Sequence, residues 1–274
     1  MQAKMLVVTV MWLIASTASY AATIDVNPGA GTPIQSAINS ASEGDTIHVH
    51  AGTYNEGVVV NKPLNLIGDG ANVVTIDPRC DASRGISVEA DRVTIRGIKV
   101  INAGFIPIDA QIRDRIVIRD TIVVKGCSAD DYGINVFQST RVTVQHNEAI
   151  GFGDTGIYIG GIASGAYVRV EKNNCHDNNE GFAVEDSNGV VLRANTVTNN
   201  TESGIFLHNS DGVLISHNNV VGTTGEGILL DADSTDNRVI GNTISGIASE
   251  GTATGNCWLG NIYTNGAAGP AGCF

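Results

Sequence analysis

The 274-residue sequence has little charge, few aromatic rings and few sulfur-bearing side chains. Charged residues make up 16%, against a usual value of about a quarter. Lys and Arg number 16 against 28 Asp and Glu, a net charge of −12. That balance excludes nucleic acid as the main partner, since phosphate contacts need cationic side chains, although a local basic patch stays compatible. Three methionines and scattered histidines give copper chemistry little support, and no C-x-x-C motif is present for a metal or redox centre. Beyond the N-terminus no apolar run approaches the ~20 residues of a membrane span. Apolar residues are not scarce: at 42% they exclude wholesale disorder. What is abundant is Gly, with 33 residues, and Asn, with 25. Both favour turns, so many short strands are expected rather than long helices.

Lys4 precedes an apolar run from Met5 to Ala15, followed by small residues including Ser19 and Ala21. A run of eleven residues is too short for a membrane anchor, and the pattern is that of a secretory signal over 1–21. The mature chain, 22–274, is then expected to be secreted or periplasmic, where disulfides are permitted.

A repeat organises the rest. Gly85, Gly133, Gly156, Gly181, Gly204 and Gly227 open similar phrases, among them GINVFQSTRVTV, GFAVEDSNGVVL and GIFLHNSDGVLI. The last four intervals are 23, 25, 23 and 23 residues. The first is 48, two periods, with IDAQIRDRIVI from Ile108 filling the middle. Within a phrase the apolar residues alternate, as in Ile134/Val136 and Ile205/Leu207, which marks a strand. A second short strand follows, with Val142/Val144, Val168/Val170, Val190/Leu192 and Val213/Ile215. Next comes Asn147, Asn173, Asn195, Asn218 or Asn242, and then a third apolar pair. Three strands per ~23 residues with no helix between them predict an all-β, single-stranded parallel β-helix, whose coils bury their faces by stacking. The Asn column is expected to sit in left-handed turns and to bond along the stack.

The solenoid ends need caps. Thr32-Pro33-Ile34-Gln35 reads as N-cap, N1 proline and capping-box Gln of a helix over 33–43, ended by Gly44. Coils are expected from about 46 to 250, and an irregular C-terminal cap over 252–274.

The segment PIQSAINSASEGDTIHVHAGTYNEGVVVNKPLNLIGDG, with the GI-x-V…N-x-V repeats after it, resembles the right-handed parallel β-helix, or pectate-lyase-like, superfamily. The opening segment is most similar to NosD-like periplasmic proteins and to mannuronan C5-epimerases. The resemblance implies polysaccharide as partner. It implies either a uronan lyase or C5-epimerase, with hydrolysis by a carboxylate pair as a variant, or a non-catalytic binding or assembly module. The Asp-Pro-His-Asp segment of mannuronan epimerases has no counterpart, because the one Asp-Pro, Asp77-Pro78, is followed by Arg79.

Outward side chains fall into columns. Two residues after the coil Gly come Asn135, Tyr158, Ala183 and Phe206; four after come Phe137, Gly160, Glu185, His208 and Asp231. Glu185, His208 and Asp231 are therefore expected on three consecutive coils, about 4.8 Å apart, with Tyr158 one coil earlier. In an enzyme His208 is the base and Tyr158 the acid. Glu185 and Asp231 orient them or hold metal, and Phe206, Asn135 and Phe137 touch substrate. Asp131, Asp154, Glu180, Glu202 and Glu226 gather before the coil Gly; Asp154, Glu180 and Glu202 are candidate ligands for Ca2+. His48 and His50 share a face of an early strand as a further metal pair. Arg92, Arg115 and Arg141, and likewise Arg96 and Arg119, hold similar coil phases and are expected to pair with Asp91, Asp114 and Asp120. Lys172 and Arg193 are expected on turns. The mature protein is expected to be a monomer.

Of the five cysteines, Cys257 and Cys273 suit a disulfide pinning the C-terminal cap, a contribution of about 3 kcal/mol. Cys127 and Cys175 lie two coils apart, too far to bond, and Cys175 takes an inward slot as a buried thiol. Cys80 has no assigned partner.

Overall fold

The computed structural model describes residues 21–127, 132–252, 254–264, 269–270 and 272–273. Nearly all of the proposed signal segment lies outside them. The chain winds as a parallel β-helix with three stacked sheets, of twelve, nine and ten strands among the described residues. One turn through the middle runs Ser203–His208 in the nine-stranded sheet, Leu214–Ser216 in the twelve-stranded sheet and Asn219–Val221 in the ten-stranded sheet. Each pairs in parallel with its equivalent one coil away.

The alternation foreseen in the repeat is the one that folds. Ile134, Ile157, Phe182, Ile205 and Ile228 stack in register and are fully buried. The Val142/Val144, Val168/Val170, Val190/Leu192 and Val213/Ile215 pairs close the core from the next sheet. The coil Gly is required by a close approach: a Cβ on Gly181 would lie 2.5 Å from the Gly204 carbonyl oxygen. In the unmarked coil Pro107 takes this place, between Ile106 opposite Arg84 and Ile108 opposite Ile86.

The Asn ladder is present and longer than expected. After the first, each Asn Oδ1 accepts both the backbone N–H and the side-chain Nδ2 of the Asn one coil before; that of Asn147 accepts the N–H and hydroxyl of Thr121. The series runs from Asn147 through Asn173, Asn195, Asn218 and Asn242 to Asn261. The expected left-handed backbone belongs to the residue before it: His146, Lys172, Ala194 and His217 have φ of 54° to 57°, and Gly241 has 65°. Asn is needed for its amide, which satisfies a buried backbone N–H and a buried carbonyl of the coil before, as Asn195 does for Asn173 and Val170.

Both ends differ from the expectation. The first strand, Thr23–Val26, precedes the helix and pairs with Thr46–Val49. The helix is Pro33–Ser40, shorter than 33–43. Thr32 makes no side-chain cap; instead the buried Glu56 carboxylate accepts the N–H groups of Ile34 and Gln35, both at 2.9 Å. Gln35 reaches across to Val59 rather than back to the N-cap. At the other end coiling continues past 250, through Cys257–Leu259 and Ile262–Thr264. Gly272–Cys273 then pairs antiparallel with Cys257–Trp258, and the Cys257–Cys273 disulfide closes it. This blocks the open edge that a solenoid would present.

Cys175 is buried and free, and burial pushes its thiol well above the ordinary value. Cys80 is bonded to Cys127, with Cα atoms 5.9 Å apart across 47 residues. No helix among the described residues is long and apolar enough to cross a membrane.

Candidate functional site

The outward columns of the nine-stranded sheet fall as the repeat implies. Asp109, Asn135, Tyr158, Ala183, Phe206 and Leu229 are register neighbours, and so are Gln111, Phe137, Gly160, Glu185 and His208. Asp231 follows the end of its strand, and its Oδ2 lies 2.5 Å from His208 Nδ1. Glu185 Oε2 accepts the Tyr158 hydroxyl at 2.9 Å. The strip therefore carries two hydrogen-bonded pairs, Tyr158–Glu185 and His208–Asp231, with Glu185 and His208 opposite each other on adjacent coils.

The electrostatics separate their roles. Burial pushes the Tyr158 hydroxyl upward, and the Glu185 carboxylate beside it adds to the rise, so it remains a proton donor far above neutral pH. Burial acts to raise the Asp231 carboxyl. The Ser234 hydroxyl and the Asn209 N–H outweigh it, with His208 and the Asp233 N–H, and leave it below the usual carboxylate value. An ionised carboxylate only accepts, so His208 directs Nδ1–H to Asp231, and the lone pair of a neutral ring then falls on Nε2. The His208 ring stacks against Phe206, with centroids 6.2 Å apart.

The three side chains expected to touch substrate divide. Phe206 and Phe137 are half-buried on the open face. Asn135 is not an open contact: it is 5% exposed and donates to Asp109 at 2.7 Å, while its Oδ1 has no partner among the described residues. Asp109 also takes Arg84 and Gln111. Sequence reasoning passed over Asp109, because Pro107 hides the coil marker before it. It also passed over Tyr132, whose ring stacks on Tyr158 at 4.6 Å and meets the Phe105 ring, tilted, at 6.3 Å.

Of the acids before the coil Gly, Asp131 lies outside the described residues. Glu180 and Glu226 share one column with Thr155 and Ser203. Glu180 accepts from the Thr155 hydroxyl at 3.1 Å and the Ser203 hydroxyl at 3.2 Å. Thr155 also donates to Asp154, and Asn179 to Glu202. Glu180 is pushed up to about 7, by burial first; the two hydroxyls oppose this, and Asp154 and Glu202 add to it.

The early His pair is part of a larger group. Ligand atoms of Asp25, His48 and His50 all lie within 4.8 Å of one another, a surface cluster able to coordinate a metal ion. The Arg columns form ion pairs in part: Arg115 and Arg141 pair with Asp114 and Arg119 with Asp120, whereas Asp91 accepts the Asp114 N–H. Arg193 is not on a turn: it closes the strand Val191–Arg193. With Arg169 and Arg238 it lines a groove of about 510 Å³ on the twelve-stranded sheet, floored by Val191 and Leu214 and edged by Tyr167. Val142 to the C-terminus holds four Lys and Arg in all, so most of that half's positive charge faces one groove.

The family model described as right handed beta helix region matches residues 79–268. No curated protein matches the sequence. The fold is similar to the A-module of mannuronan C-5 epimerase AlgE6 of Azotobacter vinelandii, at 16% identity and TM-score 0.56, over 87% of this chain and 94% of that one. It is similar to an alginate lyase from Paenibacillus sp. str. FPU-7, at 15% identity and TM-score 0.56, over 90% and 99%. The pre-mature bacteriophage phi29 gene product 12 is also similar, at 15% identity and TM-score 0.58, over 86% and 44%. At these identities the likeness is one of fold.

Proposed function

The chain belongs to the right-handed β-helix region family, and from that premise we propose that it is a secreted or periplasmic monomer that handles polysaccharide along its nine-stranded face. The observation that carries this is the pair of hydrogen-bonded acid–base couples, Tyr158–Glu185 and His208–Asp231, on coils that form one open strip. A solenoid offers a long surface, which suits an extended chain.

The chemistry these couples fit is proton abstraction from a uronate. His208 Nε2 takes the proton α to the sugar carboxylate. Tyr158 delivers its own proton, to the departing glycosidic oxygen in a lyase or to the opposite face of the carbon in a C5-epimerase. The two residues are two coils apart, about 10 Å along the axis. The carboxylate of the substrate needs a cation, and Ca2+ held near Asp154, Glu180 and Glu202 is the proposed one. The fold likeness to a mannuronan epimerase and an alginate lyase supports this class.

A second reading is a non-catalytic binding or assembly module. The absence of an Asp-Pro-His-Asp segment favours it, as does the arginine groove, which can hold an anionic chain without reacting with it. Purified mature protein incubated with alginate and pectate, with and without Ca2+, separates the two. Ultraviolet absorbance reports an unsaturated product and NMR reports inversion at the uronate carbon. Turnover that His208→Ala abolishes and His217→Ala leaves intact is the expected result. Equal activity of wild type and His208→Ala removes this site. Saturable binding without turnover favours the module.

A further inference from the structure

Two histidines and two aspartates meet on the twelve-stranded sheet, far in sequence from the strip just described. Asp25 and His48 are register neighbours on the first two strands. His50 follows two residues after His48, and Asp69 comes two residues after Ile67, the next neighbour of His48. Each imidazole is held between the two carboxylates. His48 Nδ1 and His50 Nε2 both face Asp25 Oδ1, at 3.0 and 3.1 Å. The opposite nitrogens, His48 Nε2 and His50 Nδ1, face the two oxygens of Asp69, at 2.8 and 3.3 Å. The Ala51 N–H fixes Asp69 at 3.0 Å, and the buried Tyr54 hydroxyl donates to the His50 carbonyl at 2.7 Å.

This arrangement poses a donor-counting problem. A neutral imidazole has one N–H and one lone pair, and an ionised carboxylate only accepts. Four nitrogens facing carboxylate oxygens would therefore leave two lone pairs aimed at oxygen lone pairs, unless both rings are protonated or a cation lies between them. A metal ion resolves the count on one side alone. It takes the lone pairs of His48 Nδ1 and His50 Nε2 together with Asp25 Oδ1, and both remaining N–H groups donate to Asp69. The spacings of 3.0 and 3.1 Å from Asp25 Oδ1 to the two nitrogens are close to the ~3.3 Å edge of a tetrahedron built on zinc bonds of 2.0–2.1 Å.

We propose that Asp25, His48 and His50 form a three-ligand site for a first-row divalent transition metal of the zinc class, with Asp69 the positioning carboxylate that fixes both tautomers. Two imidazole nitrogens disfavour Ca2+ and Mg2+, which take oxygen donors. The Asp25 side chain is 58% exposed, so the fourth position faces solvent, as in sites that exchange or activate an oxygen ligand. Asp69 stands where metal-bound histidines carry an outer carboxylate, whose loss typically weakens metal binding 10–100-fold.

The test uses the untagged mature chain, stripped of metal, titrated with Zn2+ at neutral pH by calorimetry, with Ca2+ in parallel and Co2+ as the spectroscopic probe. One equivalent of Zn2+ should bind and Ca2+ should not compete. His48→Ala should lose this binding, and Asp69→Asn should weaken it 10–100-fold. Unfolding of both variants in the presence of chelator should match that of the wild type. In 15N spectra the bound form should show His48 Nδ1 and His50 Nε2 as the ligating nitrogens and the other two as N–H. Three results overturn the proposal: no saturable Zn2+ binding by the wild type, undiminished binding by His48→Ala, or ring nitrogens that stay fully protonated with Zn2+ present. Unchanged affinity and ring spectra in Asp69→Asn overturn the role given to Asp69.

Discussion

Glu180 allows a pH experiment whose sign and size follow from its surroundings. The carboxyl is desolvated against its coil neighbours, receives the Thr155 and Ser203 hydroxyls, and faces Asp154 and Glu202; the outcome is a rise from 4.5 to about 7. Below the unfolded value both states hold the proton and the group is neutral in its effect. As pH rises from there, the unfolded chain ionises while the folded chain keeps its proton. The folded state binds more protons, so stability falls with pH until the folded value is passed. At 1.36 kcal/mol per pH unit the loss amounts to about 3 kcal/mol. Gln at this position cannot titrate, yet keeps a carbonyl for the hydroxyls. Glu180→Gln should therefore match wild type within ~0.5 kcal/mol at pH 4 and be more stable by up to ~3 kcal/mol at pH 8. Guanidinium unfolding at pH 4, 6 and 8 reads this difference, in which all other titrations cancel. Parallel stability–pH curves for the two proteins would refute the reasoning. The same pair tests the proposed Ca2+ ligands. Millimolar Ca2+ at pH 8 should stabilise the wild type and not Glu180→Gln, and stabilisation of neither removes Ca2+ from this edge.

Asn195→Ala deletes four side-chain hydrogen bonds and leaves the buried Asn173 N–H without its partner and the Val170 carbonyl without the Asn195 amide. The expected loss is about 2–5 kcal/mol, read by thermal unfolding against Asn219→Ala, an exposed site where less than ~0.5 kcal/mol is expected. Peptide mapping without reduction should recover Cys80–Cys127 and Cys257–Cys273, with Cys175 modified by thiol reagents only after unfolding. A Cys127–Cys175 peptide would mean that the coil count is wrong. Arg193→Glu combined with Arg238→Glu should abolish any salt-sensitive binding of alginate measured without divalent cations. Retained binding would place that contact elsewhere.

The solenoid was legible because its physics is periodic. A strand shows as alternation, a close approach forces Gly, and a 23-residue phrase returns each residue to the same place one coil later. Where a coil lacked its marker the reading thinned. Pro107 in place of Gly concealed Asp109 and with it the network beneath Asn135. The Asn column was seen but its cause was misplaced by one residue: the left-handed strain sits on His146, Lys172, Ala194 and His217, and Asn supplies the amide. The metal cluster was half legible. His48 and His50 share a coil, His50 just past the strand Thr46–Val49, but Asp25 and Asp69 come from the coils before and after. The signal was present, since Asp25 precedes His48 by 23 residues, one coil length, and Asp69 follows it by 21. The end caps were least legible, because Glu56 caps the helix from another coil, a contact that no local motif encodes.

Charge decides what each face can take. The strip of Tyr158, Glu185, His208 and Asp231 presents carboxylates, and the acidic edge of Asp154, Glu180 and Glu202 runs along the same sheet. A uronate lying there meets like charge, and in a partly desolvated site that repulsion is not screened away as it is in open water. It can be overcome only by a cation between protein and sugar, or avoided by a glycan that carries no charge. The groove of Arg169, Arg193 and Arg238 has the opposite character: guanidinium groups pair with carboxylates directly, in forked geometry and without a bridging ion. Arg169 is already engaged by Glu171 at 3.0 Å, which leaves Arg193 and Arg238 as the arms for an incoming anion. The two faces thus differ in their need for a divalent cation. Cation dependence, more than affinity, is the property that assigns a bound polysaccharide to one face or the other.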